Sequence, residues 1–229
     1  MTAYRPADRV RSALAAAGSV HVSWAAGSAT LDGPVCVAED GDVVLAADGP
    51  LGALGPLPGR EASSGTGDVV LRVTDLAPLA LRGRVRGSAE LVTRVTAVDG
   101  TARHGLRLRP HAVRWTSVPR PGQRRRPTVD VDPADYRAAR PDPLAAEEAD
   151  LLLGLAAAPG AVAALAAHLP ACVAVSPERV PVPVRLDRHG VVLRVEGAGR
   201  SVDARLAFRH DAATPALAWA ALDDLLARV

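Results

Sequence analysis

Two histidines, His104 and His111, flank the run Leu106–Arg109, and Arg103, Arg107 and Arg109 are interleaved with them. Guanidinium groups pair with carboxylates and phosphates in bidentate fashion, and imidazole can coordinate or carry a proton, so this constellation suits an anion-binding surface. Period-2 alternation puts the arginines on the face away from Leu106 and Leu108, and an exposed basic strand face is the plainer description. A second basic run, Arg124-Arg125-Arg126, has no interleaved aromatics and no second cluster beside it. It reads as a solvated loop, so nucleic acid is not an expected partner. His189 sits in a turn before Gly190 and His168 at a helix end before Leu169-Pro170. Neither has a second ligand at helix or hairpin spacing, so no metal site is expected. No phosphate loop, dinucleotide turn or hydrolase elbow occurs.

The rest of the composition narrows the class without naming a chemistry. All 27 strong positive charges are arginine, since Lys is absent along with Ile and Asn, and the formal charge is only +2. That pattern reflects coding bias and exerts no field that would draw the chain onto a polyanion. Cys36 and Cys172 stand apart in apolar surroundings and read as buried thiols in a reducing compartment. No apolar run has signal-peptide form or the length of a bilayer span, so the expectation is a cytoplasmic protein with no membrane contact.

The elements that must position these residues follow from hydrophobic period. Residues 6–17 are helix-like, with Val10, Leu14 and Ala17 on one side. Alternation then takes over. Val20, Val22 and Trp24 oppose His21 and Ser23; 35–38 and 43–46 flank the turn Glu39-Asp40-Gly41-Asp42; 69–73, 85–96 and 106–115 supply further strands, about six in all. Leu106 and Leu108 differ in parity from Val113 and Trp115, so a bulge at Pro110 is predicted, a feature that supports barrel closure. The Gly-, Pro- and Ser-rich run from Gly49 to Gly67 reads as a long loop. The Pro-rich run from Val131 to Leu144 reads as a joint in which Asp142 caps and Pro143 starts a helix. Beyond it, Leu144, Glu148, Leu151, Leu152 and Leu155 mark one helix, and Val162, Leu165 and Leu169 a second. Strands at 180–186, 191–195 and 202–208 form a meander. A last helix, capped by Thr214-Pro215, lays Leu217, Ala221, Leu222, Leu225 and Leu226 on one face of it. Trp24, Trp115 and Trp219 read as core anchors.

The joint, together with Val73-Thr-Asp-Leu-Ala-Pro78 and the closing Asp187-Arg-His-Gly-Val-Val-Leu-Arg-Val-Glu196, resembles proteins with an FMN-binding split barrel followed by a small domain of the DUF2470 type, the arrangement of haem-utilisation proteins. The resemblance implies an α+β protein: a split β-barrel domain over 1–128, a joint over 129–143, and a 144–229 domain of helices on a three-stranded antiparallel sheet. It also implies a homodimer. In such relatives basic residues hold the flavin phosphate, which would fall to Arg84 and Arg86 in Arg84-Val-Arg86-Gly87, while His104 and His111 would serve a haem. Relatives usually carry a His, an acid and a second His at the end of the first helix of the second domain. This chain reads Gly154-Leu-Ala-Ala-Ala-Pro-Gly-Ala161 there, with no ionisable atom. Two readings follow: a non-catalytic split-barrel dimer binding a tetrapyrrole-like ligand or a protein partner, or an FMN-dependent oxidoreductase.

Overall fold

The computed structural model describes residues 5–25, 27–46, 68–81, 83–98, 105–118, 125–170, 173, 181–197 and 200–228. They form two compact units. The first comprises residues 1–75, 85–119 and 125–141; the second, residues 76–84, 120–124 and 142–229.

The first unit is a curled antiparallel sheet. Its strands are β1 (Ser19–Trp24), β2 (Gly27–Asp32), β3 (Cys36–Val37), β4 (Val43–Ala46), β5 (Val69–Leu76), β6 (Val85–Val98), β7 (Gly105–Ser117) and β8 (Thr128–Val131), in the order β2-β1-β5-β6-β7-β4-β3, with β8 also on β7. Strands β2 and β8 add to the six read from sequence. Each is short and buries one side chain only, Leu31 in β2 and Val131 in β8, so their pairing is dictated by neighbours. Strand β7 organises the sheet. One edge pairs along β6, while the other carries β4 at 105–108 and β8 at 113–116. Between those stretches the register slips: Val92 faces Ala112 but Thr93 faces Pro110, leaving His111 as the extra residue of a bulge. Leu106, Leu108, Val113 and Trp115 are consequently all buried, as the parity change requires.

That inner face packs Val20, Val22, Leu71, Val73 and Leu91 beneath helix α1 (Pro6–Ala15), whose Val10 and Leu14 are wholly buried. Gly87 admits the Trp115 ring, because a Cβ there would lie 2.3 Å from it. The run read as a joint contributes β8 and then helix α2 (Pro133–Ala138). Asp132 caps α2 by accepting hydrogen bonds from the Ala134 and Asp135 N–H groups (2.7 and 3.4 Å). Tyr136 of α2 is fully buried in this core.

The second unit stacks helices α3 (Glu148–Ala156), α4 (Pro159–Ala167) and α5 (Pro215–Leu226) with the sheet β11-β10-β9, made of β9 (Pro181–Asp187), β10 (Gly190–Gly197) and β11 (Arg200–Ala207). Two local expectations change. Asp142 caps the turn that precedes α3, taking the Leu144 N–H at 3.0 Å, and Glu147 heads the helix. On α5, Leu222 and Leu225 face the core as read in sequence, but the stripe begins at Ala218, and Leu217 is 51% exposed. Among the described residues no single helix is long and apolar enough to cross a membrane.

Candidate functional site

The arginines of β7 do not present a free basic face. Asp42, at the end of the β3–β4 turn and 1% exposed, accepts from Arg107 Nε at 2.7 Å and from Arg109 Nε and Nη2 at 3.1 Å each, while Arg107 Nη2 also reaches Asp40 at 2.5 Å. Burial pushes the Asp42 carboxyl up, but the bonds from Arg109 and Arg107 outweigh burial and hold it below the ordinary carboxylate value. The spacing explains the fit: two acids two residues apart in a turn meet two arginines two residues apart on one strand face. That matched spacing is the available sequence signal, although by itself it specifies only a hairpin.

Two aromatic contacts close the same corner. Tyr136 donates its hydroxyl to the Gly41 carbonyl at 2.9 Å, and the buried Arg11 guanidinium lies 5.3 Å from the Tyr136 ring centroid. Burial raises the Tyr136 phenol to about 12. Gly41 has φ +87, which the turn needs, and a Cβ there would come within 3.0 Å of that ring.

His111 stands elsewhere. Lifted from the ladder by its bulge, it is exposed, and its Nε2 is 2.9 Å from Asp68, the residue just before β5; Arg94 approaches the same carboxylate at 4.0 Å. His104 and Arg103, Arg124, Cys172 and the Gly49–Gly67 run lie outside the described residues. Arg84 is exposed, whereas Arg86 forms a buried ion pair with Asp75, donating through Nε at 2.8 Å and Nη2 at 2.5 Å. The rest of the outer face is a charge ladder across four strands: Arg72 to Glu90 at 2.8 Å, Glu90 to Arg114 at 3.7 Å, Arg114 to Asp130 at 2.9 Å. Cys36 is exposed on the short edge strand β3, contrary to the buried thiol expected from its apolar neighbours, because its side chain falls on the outer parity.

In the second unit, Arg205 holds Asp187 through two 2.6 Å bonds, and Arg194 holds Asp203 through two more at 2.6 and 2.9 Å. Arg194 also donates to the Gly83 carbonyl at 2.9 Å, which ties the 76–84 segment to this sheet. His189 Nδ1 lies 2.8 Å from Asp211. The Gly154–Ala161 stretch covers the end of α3 and the start of α4. Gly154 supports the ring of Trp219, where a Cβ would sit 3.1 Å away. Trp219 itself is 38% exposed, so it is a lid over a glycine and no core anchor. Among the described residues no cluster of His, Cys, Asp or Glu could hold a metal ion.

No family profile matches the chain, and no curated protein matches it. Among solved structures it is similar to the heme binding protein from Mycobacterium smegmatis, with a TM-score of 0.61 and 17% identity over 100% of this chain and 98% of that one. It is also matched to the protein Atu2129, of unknown function, from Agrobacterium tumefaciens str. C58, at 15% identity and a TM-score of 0.34, over 100% of this chain and 96% of that one. The first likeness shows the fold: an α+β chain in which a split barrel accompanies a small three-stranded sheet with helices.

Proposed function

We propose that this chain is a non-catalytic split-barrel protein that binds a tetrapyrrole as a homodimer, with a second unit of the DUF2470 type, akin to haem-utilisation proteins. The observation that carries the reading is His111. A bulge sets its imidazole outside the ladder, and Asp68 engages Nε2, the arrangement that fixes a ring so that its other nitrogen can coordinate. The likeness in fold to a heme binding protein over the whole chain supports the same ligand class. His111 would hold the iron, with His104 as the second candidate. Bound haem supplies a coordinated iron; the chain's own contribution is to bind and orient it.

The alternative is an FMN-dependent oxidoreductase, and these residues fit it poorly. Arg86 is occupied by Asp75, which leaves Arg84 alone of the pair for a phosphate. The inert Gly154–Ala161 stretch favours the non-catalytic form, since it offers no proton carrier.

Titration with haemin tests the reading. A Soret band that saturates near one haem per chain, and is lost on replacing His104 and His111 together by Ala, is the expected result. Yellow protein releasing flavin on denaturation would replace it with the oxidoreductase. No response to either ligand would leave a protein partner as the function, and a monomeric mass by light scattering at micromolar concentration would remove the homodimer.

A further inference from the structure

Helices α3 and α5 each leave one strip of side chains uncovered. On α3 the positions spaced three and four apart, Asp150, Leu153, Gly154 and Ala157, share a face, and all four are exposed; on α5 the same spacing gives Ala216, Trp219, Ala220 and Asp223, again all exposed. The strips meet where the Trp219 ring lies against Gly154. Leu153 is 47% and Trp219 38% exposed, so a leucine and an indole face solvent on adjoining strips, with alanine and glycine about them and one carboxylate a single turn away on each helix. Isolated exposed leucines are ordinary. An apolar face continuous over two helices is not, since the water-facing side of a helix normally carries polar side chains.

The two carboxylates specify what fits there. Asp42, Asp75, Asp187 and Asp203 are each bound to arginine, and Asp224, next to Asp223, is held by Arg228 at 2.5 Å. Asp150 and Asp223 have no ion-pair partner among the described residues, and no arginine occurs between Arg140 and Arg179 or between Arg209 and Arg228. Two uncompensated negative charges therefore stand beside an apolar surface, in a chain that otherwise pairs its acids widely. We propose that this surface docks a basic amphipathic helix of a partner protein. The partner's apolar side chains cover Leu153 and Trp219, and its arginines or lysines, within one turn of them, meet Asp150 and Asp223. A second copy of the chain would bring the same carboxylates together with no cation on either strip, and phospholipid phosphates meet the same repulsion. The surface belongs to the second unit and stands independently of the tetrapyrrole reading.

The test uses the full chain and a fluorescein-labelled helical peptide of leucine and arginine, with a leucine and glutamate peptide of the same pattern as its counterpart. Fluorescence anisotropy is expected to show saturable binding of the basic peptide and at least about tenfold weaker binding of the acidic one. Leu153→Ser should weaken the basic peptide about tenfold, and Asp150→Asn with Asp223→Asn about fivefold. Asp130→Asn, at an exposed acid of the first unit, should leave it unchanged. All these positions are exposed, so circular dichroism should match the parent. Acrylamide quenching gives a second measurement. Trp115 is buried, and bound peptide should lower quenching in the parent while leaving that of Trp219→Phe unaltered. Absence of binding, equal binding of the two peptides, or indifference to Leu153→Ser overturns the proposal. So does self-association by sedimentation that Leu153→Ser abolishes, which assigns the face to a second copy, or flotation with phosphatidylcholine vesicles lost in the same variant, which assigns it to lipid. Haemin response separates the two readings, since these variants leave it intact, and its absence from a chain that still binds the basic peptide would strike the tetrapyrrole alone.

Discussion

The corner where β7 meets the β3–β4 turn and the junction of α3 with α4 handle ionisable groups in opposite ways. In the first, two arginines, two aspartates, a tyrosine and a buried guanidinium are drawn together and neutralised against one another. In the second, every side chain from Gly154 to Ala161 is inert, and the space next to Gly154 is filled by the Trp219 ring. The difference teaches that the ionisable residues of this corner are kept where they fasten one strand or turn to another. A residue that looks like binding chemistry by type can be wholly engaged in holding the fold, as Arg107 is, and only its partner's burial tells the two apart.

Asp42→Ala should break the contrast most strongly. It removes the acceptor of three hydrogen bonds from charged donors, and a loss of about 3 kcal/mol in urea unfolding is expected, no larger because Arg107 and Arg109 can still reach water. The same carboxyl has a lowered folded-state value, so its contribution is present above the unfolded carboxylate value and drains away as pH falls through the folded one. Asp42→Asn should therefore flatten the acid limb of the stability profile. A variant no less stable than the parent would mean that the corner is surface decoration.

At the junction, Gly154→His restores a titratable atom beside α4, but its Cβ and ring must displace Trp219. A cost of about 1–2 kcal/mol and a red shift of tryptophan emission are expected. Unshifted emission would show that the pocket has room and that its inertness is not enforced by packing.

Tyr136→Phe sharpens the first half of the comparison. Loss of the bond to the Gly41 carbonyl should cost about 1 kcal/mol at neutral pH. The raised phenol stabilises the fold fully below its unfolded value near 10 and loses that contribution as pH rises toward about 12, so the substitution should also remove an alkaline limb from thermal unfolding. The smallest effect belongs to the open ladder. Arg72→Ala, at an exposed pair with Glu90, should change stability by less than about 0.5 kcal/mol, and more than twice that would assign the outer face a structural weight that solvent screening denies it.

The regular parts of the molecule were legible because they repeat. Alternation at Val20 and Val22, the apolar period of α4, the closing meander and the parity change at Pro110 all reflect a face that must be buried, and period alone reports that. Strands β2 and β8 were not legible. Gly27–Asp32 and Thr128–Val131 each bury a single side chain, too little for period to report, and they are strands because β1 and β7 present edges to them. Of the candidate site, His111 could be found by residue type and the bulge beside it by parity, but its Asp68 partner, 43 positions away in sequence, could not. Arg86 looked like an anion ligand because Asp75 is not adjacent to it until the strands pair.

What the sequence by itself determined is the strongly periodic elements and the absence of ionisable atoms between Gly154 and Ala161, since both are properties of consecutive residues. Tertiary structure alone decided which charges remain available: pairing β4 with β7 and β5 with β6 set the Arg107–Asp42 and Arg86–Asp75 partners within a few ångströms across stretches of chain that carry no local record of the contact. Burial and cross-strand neighbours are long-range quantities, and they turned three arginines that invite an anion into ones already satisfied by their own fold.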